Sequence, residues 1–387
     1  MTQCSDRLRQ QFDFLNQSDA LKGVERSNVL LDLSRPENSA EHSWHAALFA
    51  LILAPHQTSE FQLDRVLQML LIHDLVEVDV GDHPIHLPSD HEKVAVLESN
   101  AARRLFGLLP DDQGLYLLNL WSEFEAKESA DSKFAKQIDF SQPMFQVLKS
   151  PEPLPDHLEI VRDNMTSGRF APLAHSWPEI YEHAQVLFAG DAPQSDLSRR
   201  LDFLAEADRL KSIYRATHSL KGARFENSGE HSWHIALYAL ILAEHAASKI
   251  NLHRVIQMLL LHDIVEIDAG DAPIHGDFDV AEQESKERAA AERLFGLLPA
   301  TQGAELHSIW TEFEAAQSDD AKFAKAVDRV QPLLQNIEAN GGSWLNYDVS
   351  MDKMDSRIGR KVASGTPNVW AFIRPQVQDF FSKHNLD

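Results

Sequence analysis

Apolar residues recur at three- and four-residue steps along most of the chain, which is the spacing of an amphipathic helix. In residues 37–54 they follow this spacing, Ser39 is the expected N-cap, and Glu41 falls in the favourable first turn. Residues 63–79 carry a second such pattern, which Gly81 ends. The same spacing predicts further helices over residues 91–107, 114–127, 131–148 and 366–384. No stretch shows the convincing alternation of a strand, so we predict an all-α fold.

The helical pattern occurs twice in the chain. The stretch EHSWHAALFALILA, which begins at residue 41, returns as EHSWHIALYALILA from residue 230, a displacement of 189 residues. The stretch RLFGLLP returns unchanged at the same displacement, and the repeat runs without insertion from about residue 15 to residue 148. A solenoid unit has roughly 20–50 residues, so a repeat of this length indicates a duplicated domain.

We therefore predict two tandem helical domains, with a seam in the small, polar, proline-containing stretch at residues 189–196. The first copy is expected to span residues 1–190, and the second copy, which has a longer C-terminal tail, residues 191–387.

The charge of the chain excludes one class of partner. The chain has 59 acidic against 36 basic residues and a net charge of −23, which repels a nucleic acid backbone. Its start lacks the basic and apolar regions of a signal peptide, and no later run approaches the roughly 20 apolar residues that span a bilayer. We expect a cytoplasmic protein without membrane or nucleic acid partners.

Ionisable residues interrupt the second helical pattern, where His73 and Asp74 stand side by side in an apolar run. Side chains that ligate metals recur in both copies at the 189-residue displacement: His42, His73, Asp74, Asp139, His231, His262, Asp263 and Asp328. Neighbouring residues of a helix point about 100° apart, so a His-Asp pair grips one ion only between helices. Two imidazoles and two carboxylates suit Mn, Co, Fe or Mg, so we expect one divalent cation per domain, with room for a water and a phosphate oxygen.

A further carboxylate and several arginines accompany this set. Glu77, and Glu266 in the second copy, follow the His-Asp pair by one helical turn, where a carboxylate can orient the attacking water or protonate a leaving alkoxide. The alternative is a glutamate that faces solvent. Arginines precede the first ligand helix in both copies and suit a phosphate, although each alone is equally compatible with a surface salt bridge: Arg26, Arg35, Arg215 and Arg224.

Four motifs occur in the same order in each copy: EN-S-x-EHSW, L-L-x-HD-x-V-E-x-D-x-GD, RLFGLLP and FA-K-x-x-D-x-x-QP. Their combination resembles the HD-domain metal-dependent phosphohydrolases, in particular the branch similar to 5'-deoxynucleotidases. The resemblance implies that the eight His and Asp residues bind one divalent cation per copy, that Glu77 and Glu266 are catalytic, and that Arg26 and Arg215 lie on the phosphate side. Family members pair as dimers, so this chain resembles a fused pseudo-dimer.

The expected reaction is metal-dependent release of phosphate from a small phosphorylated molecule, most specifically a (deoxy)nucleoside 5'-monophosphate. One alternative is hydrolysis of a nucleoside triphosphate or a cyclic nucleotide. Hydrolysis of cyclic nucleotides often needs extra histidines for a second metal, and the repeated candidates are His45, His234, His86 and His275. Another alternative is a non-catalytic nucleotide sensor, against which the retained Glu77 and Glu266 argue.

The two copies differ at the last motif, where the family branch has D-R-x-QP. The second copy has Arg329 after its aspartate, a candidate contact for substrate, whereas the first copy has Phe140. The segment GGSWLNYDVS, whose Trp344 is a candidate pocket wall, occurs only in the second copy. We therefore expect the second site to account for most of the activity.

Overall fold

A computed structural model describes residues 2–54, 60–83, 90–219, 224–276, 278–347 and 349–384. The fold is mostly helical, and the predicted all-α class is confirmed. No helix in these ranges is long and apolar enough to cross a membrane.

The helices and strands of the first half are α1 (Thr2–Ser18), β1 (Glu25–Val29), β2 (Pro36–Asn38), α2 (Ser39–Leu53), α3 (Leu63–Ile72), α4 (Glu77–Val80), α5 (His91–Phe106), α6 (Asp111–Ala126), α7 (Ala130–Lys149), α8 (Pro155–Thr166), α9 (Leu173–Ser176) and α10 (Pro178–Phe188). Those of the second half are α11 (Asp196–Ala207), β3 (Tyr214–His218), β4 (Phe225–Asn227), α12 (Ser228–Leu242), α13 (Leu252–Leu261), α14 (Glu266–Ala269), α15 (Val280–Phe295), α16 (Ala300–Ala315), α17 (Asp319–Glu338), α18 (Met351–Met354), α19 (Arg360–Gly365) and α20 (Pro367–His384). Short 3-10 turns follow α1 and α11, at Asp19–Gly23 and Asp208–Ser212.

A two-stranded antiparallel ribbon precedes the first ligand helix in each half, which the sequence did not predict. Strand β1 pairs with β2 through Glu25 opposite Asn38, and β3 pairs with β4 through Tyr214 opposite Asn227. These strands have five and three residues, which are too few to establish the alternation of apolar and polar side chains that identifies a strand. Each ribbon carries an arginine of the site.

Helix α2 begins one residue earlier than predicted, because Asn38 and not Ser39 is its N-cap. The Asn38 side chain accepts hydrogen bonds from the backbone N–H groups of Ala40 and Glu41, and the Glu41 carboxylate accepts one from the backbone N–H of Asn38. This capping box satisfies N–H groups that the helix leaves free. The cap leaves the Ser39 hydroxyl available for the site.

The predicted helix over residues 63–79 is two helices. Helix α3 ends at Ile72, residues 73–76 form turns, and the Glu77 N–H donates to the Asp74 carbonyl at 2.9 Å as α4 begins. Gly81 then ends α4 with a φ of 75°, a left-handed conformation that favours glycine. The break places the His-Asp pair at the end of a helix, where both side chains point into the space between α2 and α7.

The two halves share one core, centred on the ligand helices α2 and α12. Every residue of both helices is buried, and the two pack against each other. The indole N–H of Trp44 donates to the Leu260 carbonyl at 3.2 Å, and that of Trp233 donates to the Leu71 carbonyl at 3.0 Å. Helix α11 of the second half also packs against α2. Packing between the two halves crosses the predicted seam. The division into domains at 1–190 and 191–387 is therefore kept as a proposal.

The C-terminal helix α20 lies where it was predicted, at Pro367–His384. Trp344 is 1% exposed and packs against the rings of Phe380 and Phe381, with centroids 5.6 and 5.0 Å away. The expectation that Trp344 walls a pocket is therefore wrong. The two phenylalanines of α20 cover the large apolar surface of this indole and hold it in the core.

Candidate functional site

The four candidate ligands of the first half meet between α2, α7 and the end of α3. His42 Nε2 lies 3.2 Å from Asp139 Oδ1, and His73 Nε2 lies 3.7 Å from the same oxygen. Asp74 places Oδ1 3.2 Å from His73 Nε2 and Oδ2 3.9 Å from His42 Nε2. The ligand atoms of His42, His73 and Asp139 all lie within 4.8 Å of one another. Residues up to 97 positions apart are thus brought to one point.

The second half repeats the arrangement. His231 Nε2 lies 3.1 Å from Asp328 Oδ1, and His262 Nε2 lies 2.9 Å from Asp263 Oδ1. The ligand atoms of His231, His262 and Asp328 again lie within 4.8 Å of one another, and all three residues are buried. Two separate clusters of the same composition therefore lie in one chain.

Hydrogen bonds fix which imidazole nitrogen faces the cluster. The Nδ1 atoms of His73 and His262 lie 2.9 Å from the carbonyl oxygens of Leu70 and Leu259. The Nδ1 of His42 lies 2.8 Å from Gln142 Oε1. Because an oxygen of this kind only accepts, Nδ1 carries the proton, and a neutral ring then directs the lone pair of Nε2 into the cluster. This orientation is the one that metal-bound histidines have.

The donor atoms of the cluster suit a cation. His73 Nε2 and His262 Nε2 are buried without a hydrogen-bond partner, and they face carboxylate oxygens that also act only as acceptors. Burial lowers the pKa of His73, but the charges of Asp74 and the contact with Asp139 outweigh it and raise that pKa. The cluster thus attracts positive charge, and a divalent ion bound by these donors would replace the protons. The residues present fit Mn, Co, Fe or Mg.

Glu77 and Glu266 lie beside the clusters and do not face solvent. The Ser39 hydroxyl donates to Glu77 Oε2 at 2.5 Å, and the Ser228 hydroxyl donates to Glu266 Oε2 at 2.6 Å. The side chain of Glu77 is only 12% exposed. Burial and the charge of Asp74 raise the pKa of Glu77 well above its ordinary value, and burial with Asp263 does the same for Glu266. A carboxylate whose pKa is raised is a stronger base than an exposed one, which suits a group that moves a proton.

Arg26 and Arg215 reach the clusters from the ribbons. Arg26 Nη1 donates to Asp74 Oδ2 at 2.7 Å and lies 3.7 Å from Glu77 Oε1. Arg215 makes the same contact with Asp263 at 2.7 Å, and its Nε is buried without a hydrogen-bond partner. These arginines thus contact a candidate ligand inside the site rather than an exposed carboxylate.

Arg35 and Arg224 do not reach the clusters, so the expectation that they bind substrate is not supported. Arg35 Nη1 donates to Glu41 Oε2 at 3.0 Å, and Nη2 donates to the Lys211 carbonyl at 2.8 Å. Arg224 makes the equivalent contacts with Glu230 and the Lys22 carbonyl, the latter at 2.6 Å. These guanidinium groups join the two halves of the chain.

A cavity adjoins each cluster. The cavity of the second half has about 590 Å³ and is lined by Arg215, His262, Asp263, Glu266, Asp328 and Arg329 among others. The cavity of the first half has about 370 Å³, and Phe140 lines it at the position equivalent to Arg329. Arg329 thus lines the cavity beside the second cluster.

The remaining repeated histidines do not add a ligand to either cluster among the described residues. His45 places Nε2 2.9 Å from the Leu204 carbonyl and Nδ1 2.9 Å from Lys211 Nζ, and His234 has the equivalent contacts with Leu15 and Lys22. His275 lines the cavity of the second half. His86 lies outside the described residues.

The structure adds site residues that the sequence analysis did not single out. Gln142 orients His42, Ser39 holds Glu77, and the Trp121 indole donates to the His73 carbonyl at 3.2 Å. Asp82 lies 4.0 Å from Arg26. Each of these residues recurs 189 positions later in the chain, so a comparison of the two copies could have identified them.

Comparisons with known proteins agree with this geometry. A family model described as HD domain matches residues 18–181 and 207–370. The 5'-deoxynucleotidase HDDC2 of Bos taurus is 32% identical over 187 residues, which are 47% of this chain and 85% of the relative. The 5'-deoxynucleotidase of Erwinia tasmaniensis is 27% identical and covers 39% of this chain and 81% of its own length. A solved structure of a predicted metal-dependent phosphohydrolase from Magnetospirillum magnetotacticum is 44% identical, covers 49% of this chain and 98% of its own, and superposes with a TM-score of 0.47.

The family match covers most of both halves, and each matched segment contains one complete cluster of His and Asp residues. The resemblance drawn from the four motifs is thereby confirmed. The chain belongs to the HD-domain phosphohydrolase family and carries the domain twice.

Proposed function

We propose that the protein releases phosphate from a phosphomonoester, most specifically a (deoxy)nucleoside 5'-monophosphate, at a divalent cation held in each half. The observation that carries the proposal is a buried cluster of two histidines and two aspartates with a buried glutamate and an arginine beside it. The relatives named 5'-deoxynucleotidase support the nucleotide as substrate.

The reaction consumes one water, and one proton is transferred twice. The bond between the water oxygen and phosphorus forms, the ester P–O bond breaks, and the products are an alcohol and inorganic phosphate. The bound divalent ion would supply Lewis acidity and stabilise the charge on the phosphoryl oxygens. Ser39 holds Glu77 through Oε2, so Oε1 is the atom that takes the proton of the attacking water and returns it to the leaving oxygen.

Arg26 neutralises charge on the transferred phosphoryl group. Its guanidinium has five N–H donors, and Asp74 takes one through Nη1, so the remaining donors can reach phosphate oxygens. In the second half Arg215 has the same role, which the unpartnered Nε of this buried side chain supports. Donors that are already oriented stabilise the transition state without reorganisation.

A turnover assay tests this proposal. Purified protein, freed of metal and reloaded with Mn, Co or Mg, should release inorganic phosphate from nucleoside 5'-monophosphates and lose that activity when a chelator is added. The Asp74→Asn/Asp263→Asn double variant should be inactive. A variant of the interface arginine, Arg35→Lys, is the matched control and should keep most activity. If a broad panel of phosphomonoesters yields no phosphate with any of the three metals, the proposed function is wrong and a nucleotide-binding role without catalysis takes its place.

A further inference from the structure

The two cavities stand on equivalent scaffolds but have different walls. In each half the residue after the aspartate ligand on α7 or α17 projects into the cavity, and it is Phe140 in one half and Arg329 in the other. The segments that follow these helices also differ, since α8 lines the first cavity and α19 lines the second. The two cavities therefore differ at the residue next to the aspartate of the cluster and in the helix that follows.

The wall of the second cavity carries four cations from α17 and α19, namely Lys322, Lys325, Arg329 and Lys361. Carboxylates line the same cavity, Lys325 pairs with Glu314 at 2.9 Å and Lys322 lies 3.8 Å from Asp319, so Arg329 and Lys361 are the cations left to meet a further anion. Burial and the nearby charges of Arg329 and Lys325 lower the pKa of Lys361. Among the described residues Lys361 forms no ion pair within 4.0 Å, and Arg329 Nε is buried without a hydrogen-bond partner, 3.7 Å from Asp328 Oδ2.

The wall of the first cavity is mostly apolar. Its lining side chains include Phe140, Met144, Val147, Ile160, Val161 and Phe170. Arg169 lies over the ring of Phe140, with its guanidinium carbon 5.5 Å from the ring centroid. Such a contact holds the guanidinium against the ring. This surface favours an uncharged, apolar group by removing it from water.

We infer that the two sites select different phosphomonoesters. The second site takes a substrate that carries another phosphate or carboxylate group besides the reacting phosphate. The first site takes a substrate whose remaining part is uncharged and apolar. As a statement about substrates this inference rests on the proposed function, but the recognition itself can be measured without turnover.

The physical reason is the mutual repulsion of the cations on the second wall. Like charges held close in a partly buried cavity raise the free energy of the empty site, and an anion that binds among them removes this repulsion. Hydrogen bonds between charged groups are also shorter and stronger than neutral ones. The wall of the first site has Arg169 as a single cation against its apolar surface, so a second anion relieves no repulsion between cations there and would lose part of its hydration.

The test uses two probes with the same reacting ester, adenosine 5'-monophosphate and adenosine 3',5'-bisphosphate. The full chain carries Glu77→Gln and Glu266→Gln so that neither probe is consumed, and Asp74→Asn or Asp263→Asn leaves one intact cluster at a time. Calorimetry with Mn²⁺ should show that the second site binds the bisphosphate roughly tenfold or more tightly than the monophosphate, the scale of one added charged hydrogen bond. The first site should show no such preference.

Reciprocal variants assign the preference to the wall. Arg329→Phe should bring the second site to the ratio of the first, and Phe140→Arg should raise the ratio of the first site. Circular dichroism melting of each variant shows that it is folded. Equal ratios at the two sites, or an unchanged ratio in Arg329→Phe, would overturn the inference. If the protein turns over phosphomonoesters but the two sites have equal bisphosphate-to-monophosphate affinity ratios, the inference alone is wrong. If the preference depends on Arg329 but no phosphomonoester is turned over, only the proposed function is wrong.

Discussion

Lys211 Nζ lies 2.6 Å from Glu37 Oε1, so a lysine of the second half of the chain pairs with a carboxylate beside the cluster of His and Asp residues of the first. Glu37 also accepts a hydrogen bond from Gln142 at 3.3 Å and lies 3.8 Å from His42 Nδ1. Lys22 and Glu226 repeat the contact in the opposite direction, at 2.6 Å. Each half therefore completes the surroundings of the other half's first ligand, and neither site is built by one domain alone.

Replacing Lys211 by Met should destabilise the protein strongly. Lys211 and Glu37 are both fully buried, so the substitution leaves a buried carboxylate without its partner, at a cost of about 3–5 kcal/mol. The matched control is Lys149→Met, which breaks a pair with the half-exposed Asp202 and should cost at most about 1 kcal/mol. Urea unfolding followed by circular dichroism measures both. Equal losses in the two variants would show that the buried pair does not hold the halves together.

Acid should destabilise the protein through His234. Burial, together with the charge of Lys22 at 3.0 Å, lowers the pKa of His234 to about 3. An unfolded histidine has a pKa of about 6.5, so below that pH the unfolded state binds a proton that the folded state does not. The free energy of unfolding should therefore fall as the pH falls from about 6.5 towards 3, by up to about 1.4 kcal/mol per pH unit from this group.

The His234→Gln variant isolates that contribution. Its free energy of unfolding, measured in urea at about pH 6.5, 5.5 and 4.5, should depend less on pH than that of the unsubstituted chain. The same slope in both proteins would mean that His234 is not held neutral in the folded state.

Glu77 and Glu266 should serve turnover and not metal binding. Replacing both by Gln removes the groups that move the proton, so kcat should fall by roughly 10²-fold or more while the metal content is unchanged. The control replaces Asp79 and Asp268 by Asn, since these nearby carboxylates pair with Arg104 and Arg293 at the surface. Steady-state rates with one nucleotide compare the two variants with the unsubstituted chain. Full activity of the glutamine variant would show that neither glutamate takes part in the reaction.

The second site should contribute most of the turnover of a nucleotide, because Arg329 adds a cation to its cavity where the first site has Phe140. Asp263→Ala removes a ligand of the second site alone, and Asp74→Ala removes a ligand of the first. The former should cost most of the phosphate release and the latter little. Equal losses would make the sites equivalent for that substrate, and the opposite order would reverse the assignment.

The sequence predicted those parts of the site that depend on residue type and on spacing along one helix. The candidate ligands His42 and Asp139 are identifiable because both recur after 189 residues in helical patterns. The pairing of Arg35 with Glu41 and the Lys211 carbonyl is not, because no local pattern shows that two distant segments pack together. An arginine before a ligand helix has the same sequence context whether it faces substrate or the other half. The sequence did not predict the two ribbons for a different reason. Strands of five and three residues have too few positions to show a periodic pattern.

The most direct test of the account is the metal content of the chain, measured by mass spectrometry of the element after reconstitution with Mn²⁺ and removal of free ions. Two clusters predict two ions per chain, one ion in either His73→Ala or His262→Ala, and none in the double variant. A chain that binds no ion, or a double variant that keeps both, would contradict the assignment of these histidines and aspartates as metal ligands.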